Sequence, residues 1–305
     1  MKVALISTVF NEGDNILAWA KALGAQTICP DEFVIVDGGS TDGTPGLLVQ
    51  AFAGGGFPVP RIIIEKCNIA RGRNLAIQNT TAEVIVATDA GCVASPDWLA
   101  EIIQPLQADP TVDVCGGASG RLLQNDFHRY LAAIDPEPPA APYGKDCYPS
   151  SRNVAFRRQA WADAGGYPEW LTLAAEDALF NHELHWIGKK FFSNPRAKVS
   201  WAARPDAAGY YKMLNGYGFG AAEARLYAPY FRRRLLLTLC PPLLLFSSHR
   251  FKHFGFRYRK NAASATGWLA GLWRGRRAPK DWRRVRGVLL SPAALRCLES
   301  PALKK

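Results

Sequence analysis

Along the first 120 residues, short runs that are apolar on both faces alternate with stretches whose apolar positions recur at helical spacing. Residues 3–7, 33–37, 61–65 and 84–88 read as strands, and 15–23, 44–52, 70–78 and 98–106 as helices of about three turns. Strands with no alternation between an inner and an outer face are buried on both sides, which calls for a mainly parallel sheet flanked by helices, an α/β fold. Ligands of such sheets bind beyond the carboxyl ends of the strands. Thr8, Asn11, Asp37, Ser40 and Asp89 each lie at or just after a strand end, so the pattern predicts that they share one edge. The fourth helix has a readable start in Ser95-Pro96-Asp97, with a capping hydroxyl, a proline for the first turn and an acid near the positive helix end.

After residues 112–117 the alternation stops. The proline-rich residues 135–142 read as an extended connection. Strands are expected at 151–156, 189–192 and 197–201, and helices at 157–164 and 175–187; no internal repeat is visible. From Arg204 onward aromatic and basic residues interleave (Tyr210, Tyr211, Tyr217, Phe219, Tyr227, Tyr230, Phe231), and Arg232-Arg233-Arg234 leads into an apolar stretch, 235–246. That stretch, broken by Pro241-Pro242, is too short to span ~30 Å of hydrocarbon, which needs about 20 residues, but it can lie in an interface.

Charge sharpens this division. The 305 residues carry a net +11, yet from Arg204 onward there are 21 lysines and arginines against 4 acids, so the whole basic excess sits in the last third. A composition 48% hydrophobic and 21% charged fits a globular core and excludes a disordered chain. The 7 cysteines are dispersed without a CxxC pair, which argues against a disulfide framework or a zinc site and favours a reducing compartment. The apolar run 3–6 is interrupted by Ser7 and Thr8, so no secretory signal is expected.

Three motifs in order carry a resemblance: Ser7-Thr8-Val9-Phe10-Asn11-Glu12 after the first strand, Val36-Asp37-Gly38-Gly39-Ser40-Thr41-Asp42-Gly43-Thr44 after the second, and Thr88-Asp89-Ala90-Gly91-Cys92 after the fourth. A fourth, Glu176-Asp177, opens a helix after Gly165-Gly166-Tyr167-Pro168. Over residues 1–226 the chain resembles the inverting family-2 glycosyltransferases with the GT-A type nucleotide-sugar-binding fold. The resemblance implies a nucleoside-diphosphate-sugar donor, a hydroxyl acceptor, Asp177 as catalytic base, and Asp89 as ligand of Mg²⁺ or Mn²⁺ against the donor diphosphate. This sequence departs from the pattern at Gly38, Ala90 and Gly91, where many relatives carry further acids, and at Trp201, near which some carry a metal-completing histidine.

The residues allow a physical reading beside the resemblance. Thr8, Asn11, Glu12, Asp37 and Ser40 supply short polar groups for the base and ribose edges of a nucleotide. The second motif is equally the chemistry of a tight βα turn, with Asp42 or Ser40 capping the next helix. Asn68, Arg71 and Asn74 straddle the start of the third helix, where an anionic donor suits the helix dipole and an arginine. Arg71 is read as a donor contact and Arg73 as structural; the alternative is that these arginines pair with Glu65 or Glu83. Ser151, Arg152 and Asn153 are acceptor-side candidates, with a surface turn as the plain alternative, and Glu176 is expected to touch the acceptor or a neighbouring arginine. One carboxylate suffices as the base for an attacking hydroxyl, while two acids at a helix start also serve the dipole. His182 and His185 lack a metal-binding partner set.

These readings converge on a GT-A type catalytic domain, residues 1–226, followed by a basic, mostly helical extension, 227–305. The extension shows no nucleic-acid module, and its charge and aromatic content fit an anionic membrane surface. The expected protein is a cytoplasmic glycosyltransferase held peripherally at the inner face of the membrane, acting on a glycan or lipid-linked acceptor. Two rivals are weighed: a nucleotidyltransferase, which lacks its usual basic glycine-rich loop here, and a non-catalytic nucleotide-binding assembly subunit.

Overall fold

The computed structural model describes residues 1–53, 57–136, 148–246 and 253–276. In chain order the elements are β1 (Val3–Val9), α1 (Asn15–Gly24), β2 (Glu32–Asp37), α2 (Thr44–Phe52), β3 (Arg61–Ile64), α3 (Ile69–Gln78), β4 (Val84–Ala87), β5 (Cys92–Ala94), α4 (Trp98–Ala108), β6 (Val114–Leu122), α5 (Asp126–Ile134), β7 (Val154–Arg157), α6 (Arg158–Asp163), α7 (Glu176–Trp186), β8 (Phe191–Ala202), α8 (Ala207–Glu223), α9 (Ala228–Leu239) and α10 (Phe254–Arg274). A 3₁₀ segment, Pro241–Phe246, follows α9. They gather into two compact units, residues 1–120, 142–169 and 180–201 in the first, and 121–141, 170–179 and 202–305 in the second.

The first unit is built on an eight-stranded sheet in the order β3-β2-β1-β4-β7-β6-β8-β5. Its first four strands are parallel, as the strand–helix alternation predicts, and their register sets Thr8 beside Val36 and Val9 beside Asp37. β7 runs antiparallel to both β4 and β6, and β5 antiparallel to β8. Helices cover both faces. On one, Trp19, Phe33, Phe52, Phe57 and Trp98 join Leu5, Ile35 and Val86; on the other, Ile77, Tyr167 and Phe180 join Ile6, Ile85 and Phe156. Two differences from the sequence pattern stand out. The strand β5, Cys92-Val93-Ala94, is too short to announce itself in the pattern. The two strands expected at 189–192 and 197–201 are one strand, β8, which runs through Pro195.

The second unit is mostly helical. α8 and α10 pack with backbones in contact: a Cβ on Gly218 would lie 2.3 Å from the Ser264 carbonyl oxygen, and one on Gly267 only 1.9 Å from that of Asn215. No side chain fits at either position, so glycine is required there for the close approach. Ala221, Ala222, Phe231 and Trp268 close the core between α8, α9 and α10, with the Phe231 and Trp268 rings stacked. The apolar stretch 235–246 is not one surface. Leu236 and Leu239 are exposed on α9, Leu235 and Leu237 are half-buried, and Leu244 in the 3₁₀ segment is buried. Among the described residues no helix is long and apolar enough to cross a membrane. Arg250 and Lys252, which follow the apolar stretch in sequence, lie outside the described residues, as do 137–142 of the proline-rich connection and everything after 276.

Candidate active site

In the first unit the loops after β1 and β2 are stitched into one surface. Asn11, with φ 52°, donates its backbone N–H to Ser40 Oγ at 2.9 Å, and the Thr41 N–H donates to Asn11 Oδ1 at 2.9 Å. The Glu12 and Gly13 N–H groups both donate to Thr44 Oγ1, at 2.9 and 3.1 Å. Asp42 Oδ1 accepts from the Thr44 N–H at 2.9 Å, a turn leading into α2 rather than a side-chain cap, since the N-cap of that helix is Gly43. Thr8, half-exposed at the end of β1, sits close beneath α3, where a Cβ on Gly72 would come within 2.8 Å of its Cγ2.

Asp37 ends β2 fully buried. Its Oδ1 accepts from the Gly39 and Ser40 N–H groups at 2.8 and 2.6 Å, a turn that glycine permits because residue 39 has φ 93°. Its Oδ2 is buried with no hydrogen-bond partner. A buried carboxylate oxygen without a donor is costly, on the order of 1–3 kcal/mol or more, so this atom is an unmet acceptor.

The candidates around α3 divide. Asn68 caps the helix, accepting from the Arg71 N–H at 2.9 Å and donating to the Glu169 carbonyl at 2.7 Å. Arg71 donates Nε to Glu65 at 2.9 Å and lies 3.8 Å from Glu169, which is the ion-pair alternative considered for it. Asn74 is buried with both ends engaged: Nδ2 donates to the Tyr167 carbonyl and to Glu169, and Oδ1 accepts from Trp161 Nε1 and the Tyr167 N–H. Two donors and two acceptor sites are all an amide has; Asn74 braces the Gly166-Tyr167 turn. The arginine that meets the acidic motif is Arg73, whose buried guanidinium donates to Asp89 Oδ1 at 3.0 Å.

Asp89 follows β4 with its side chain 35% exposed. Three residues on, Cys92 pairs with Trp201 across β5 and β8, and the Arg152 guanidinium lies 4.3 Å over the Trp201 ring. Burial, with help from Asp89, pushes the Cys92 thiol up to about 12, while Arg152 pulls it the other way, so all of these groups share one electrostatic neighbourhood. Ser151 is buried with its hydroxyl 3.1 Å from that of Tyr167. Asn153 is buried too: Oδ1 accepts from Trp98 Nε1 and Nδ2 donates to the Ala118 and Ala197 carbonyls, tying α4, β6 and β8 together. Neither reads as a surface turn.

In the second unit, Glu176 and Asp177 form the first turn of α7, Glu176 buried and Asp177 half-exposed, with Asp177 Oδ1 accepting from the Ala178 N–H at 2.8 Å. The residue before them, Ala175, holds φ 74°. A left-handed alanine costs roughly 1–2 kcal/mol, and it fixes the angle at which the chain enters the helix that carries both acids. His182 and His185 pack their rings on Tyr148, and His185 also stacks on Phe191. Burial, then the neighbouring His185, lowers His182 to about 4. Among the described residues no group of three His, Cys, Asp or Glu side chains is placed to hold a metal.

One carboxylate with one oxygen tied to Arg73 still suits a hard cation that draws most of its oxygens from phosphate and water. The first unit therefore presents an unmet acceptor at Asp37, a positioned acid at Asp89 and a cation at Arg152, the elements for holding a polar base or ribose and an anionic diphosphate.

Comparisons with known proteins agree on the architecture. The chain is 29% identical over 133 residues to the uncharacterized glycosyltransferase YfnE of Bacillus subtilis, 43% of this chain and 33% of that protein. It is 26% identical over 204 residues to the O-antigen chain rhamnosyltransferase RfbN of Salmonella typhimurium, 62% of this chain and 63% of that one, so it spans less than two thirds of either relative. Among solved structures it is similar to the mannosyltransferase PcManGT of Pyrobaculum calidifontis in complex with GDP-Man and Mn²⁺, with TM-score 0.66 and 19% identity over 90% of this chain and 88% of that one. It is also similar to residues 1–349 of S. aureus TarS in complex with UDP, with TM-score 0.54 and 16% identity over 88% and 91%. These likenesses establish the GT-A type fold. The family model Glycosyl transferase family 2 matches residues 4–160, just over half of the chain, and the chain belongs to that family.

Proposed function

We propose that this chain transfers a sugar from a nucleoside-diphosphate sugar to a hydroxyl acceptor with inversion, in the synthesis of a cell-surface polysaccharide or lipid-linked glycan. Residues 1–226 carry the catalysis and 227–305 form a basic interfacial extension. The observation that carries the reading is the unpartnered Oδ2 of buried Asp37 at a strand end, in a member of this family. That oxygen accepts a hydrogen bond from the base or ribose, and Thr8, Asn11, Glu12 and Ser40 complete the nucleotide edge. Asn68, Arg71 and Asn74 act from beneath, by capping α3 and fixing the turn around Tyr167. Asp89, oriented by Arg73, would hold Mg²⁺ or Mn²⁺, which supplies positive charge against the diphosphate leaving group. Arg152 adds a cation on the same edge; with Ser151 it contacts the acceptor, and Asn153 keeps the strands beneath them in place. Glu176, on α7, is an acceptor contact by the family resemblance. Asp177 takes the acceptor proton.

The test is slow donor hydrolysis across a panel of uridine, guanosine and thymidine diphosphate sugars, with and without Mn²⁺. The ligands of the similar structures, GDP-Man with Mn²⁺ and UDP, make the first two the lead probes. Hydrolysis of at least one donor is expected. Nucleotide binding with no turnover of any donor would instead support the non-catalytic assembly subunit.

The extension, in this proposal, holds the protein peripherally on the cytoplasmic face of an anionic membrane. Arg232, Arg233 and Arg259 are exposed, and so are Leu236, Leu239, Leu269, Leu272 and Trp273. Each basic residue adds at most ~1 kcal/mol near an anionic surface and is screened by salt, while apolar burial is not screened. The full chain is therefore expected to sediment with phosphatidylglycerol vesicles and to be only partly released by high salt. Failure to bind those vesicles at low salt would rule out the interfacial role.

A further inference from the structure

The basic residues of the extension do not all face outward. In the second unit, Lys260 on α10 pairs with Asp135 at the end of α5, and Tyr210 donates its hydroxyl to the same carboxylate oxygen at 2.7 Å. Arg121, at the end of β6, donates to the Asp135 carbonyl at 2.6 Å. Arg234 on α9 donates Nη1 to Asn261 at 2.6 Å and lies over the Tyr230 ring. Arg257, Lys260 and Asn261 follow one another at i, i+3 and i+4 on α10 and so share a face. Arg121, Arg234 and Lys260 thus share one neighbourhood with Asp135, and Arg257 lies one turn before Lys260 on the same face of α10.

Two of these cations are visibly incomplete. Arg234 Nε and Arg257 Nη1 are buried and have no acceptor. Burial is the cause that lowers Arg257, and at Lys260 burial outweighs Asp135, with Arg234 and Arg121 adding their repulsion. Burying like charges with unmet donors is unfavourable unless an anion joins them. The size of the excess selects the anion. Arg121, Arg234 and Lys260 against Asp135 leave two charges, before Arg257 one turn away is counted, more than one further carboxylate would offset, whereas a phosphate ester brings close to two charges and several strong acceptor oxygens. Guanidinium forks match phosphate oxygens in geometry as well.

We infer that Arg121, Arg234, Arg257 and Lys260 form a phosphate-binding site in the second unit, separate from the donor loops, that takes the phosphate ester or diphosphate of an acceptor or of a lipid headgroup. The inference stands independently of the proposed transferase reading, because its readout is binding alone.

Inorganic pyrophosphate is titrated calorimetrically into the full chain, wild type and the Arg257→Gln and Arg234→Gln variants, with thermal midpoints measured in parallel. Wild type is expected to show a binding event that each variant weakens by about tenfold or more, the order expected for losing one charge-assisted hydrogen bond. A second arm compares vesicles doped with phosphatidic acid against vesicles of equal charge made with phosphatidylglycerol. Preferential, Arg257-dependent recruitment by phosphatidic acid assigns a lipid headgroup; pyrophosphate binding without that preference assigns a soluble phosphate. Wild type that binds pyrophosphate no better than the folded variants, or not at all, overturns the site. Absence of pyrophosphate binding by wild type overturns the site even if a variant fails to fold, and a folded variant at either arginine suffices to separate this site from the donor loops.

Discussion

Asp177→Asn is expected to reduce glycosyl transfer by more than about 10²-fold while leaving donor affinity within a few-fold of wild type. The amide keeps the shape of the carboxylate, and its oxygen can still accept the Ala178 N–H that the Asp177 Oδ1 accepts in the structure. The first turn of α7 therefore survives the change. What is lost is the capacity to take a proton from the acceptor hydroxyl, and no other group of the same turn replaces it freely, since Glu176 is buried. Single-turnover transfer and donor titration on the same preparation separate the two effects. Near-normal turnover in this variant would remove Asp177 from the role of base.

The second large effect is expected at Asp89, and it has two faces. Asp89→Ala removes the carboxylate proposed to hold the divalent ion, so donor affinity in Mn²⁺ is expected to fall by about 10- to 100-fold, toward the wild-type value in EDTA. The same change removes one ionic contact of Arg73, whose side chain is only 4% exposed. Because Asp89 is itself partly solvated and Arg73 keeps its place over the Tyr167 ring, a loss of about 1–3 kcal/mol is expected. Asp89→Asn separates the faces, because an amide oxygen can still accept from Arg73. It is expected to recover most of the thermal midpoint and little of the Mn²⁺-dependent affinity. If wild type binds donor equally well in EDTA, the metal role is wrong even though the residue sits at the site.

Much of the first unit was legible because its signals are local. Strands buried on both faces and amphipathic helices announce themselves over four to eleven residues, and the Asp37 turn carries its own glycines, so the parallel half of the sheet and the edge bearing Thr8, Asn11, Asp37, Ser40 and Asp89 follow directly. The antiparallel half was less clear. Pro195 splits the pattern of β8 in two, and the three residues of β5 become a strand only by pairing with it.

The site residues outside the strand-end motifs show where local reading stops. Arg71 and Arg73 lie about 200° apart around α3, so one turns toward Asp89 and the other toward Glu65, but nothing within the helix says which. Asn74 and Asn153 look like ligand contacts in the sequence, and the structure shows each hydrogen-bonded inside the protein, to groups up to 95 and 55 residues away. The same holds in the extension, where Arg232 and Arg233 are exposed while Arg234 is drawn inward to Asn261, a distinction invisible in a run of three arginines. By itself, then, the sequence determined the element order, the parallel core, the family motifs and the charge division, since periodicity and turn chemistry act between near neighbours. Only the tertiary structure decided which polar side chain is satisfied inside the protein and which is left for a ligand. That depends on the partners that folding brings from distant segments and on the water that burial removes.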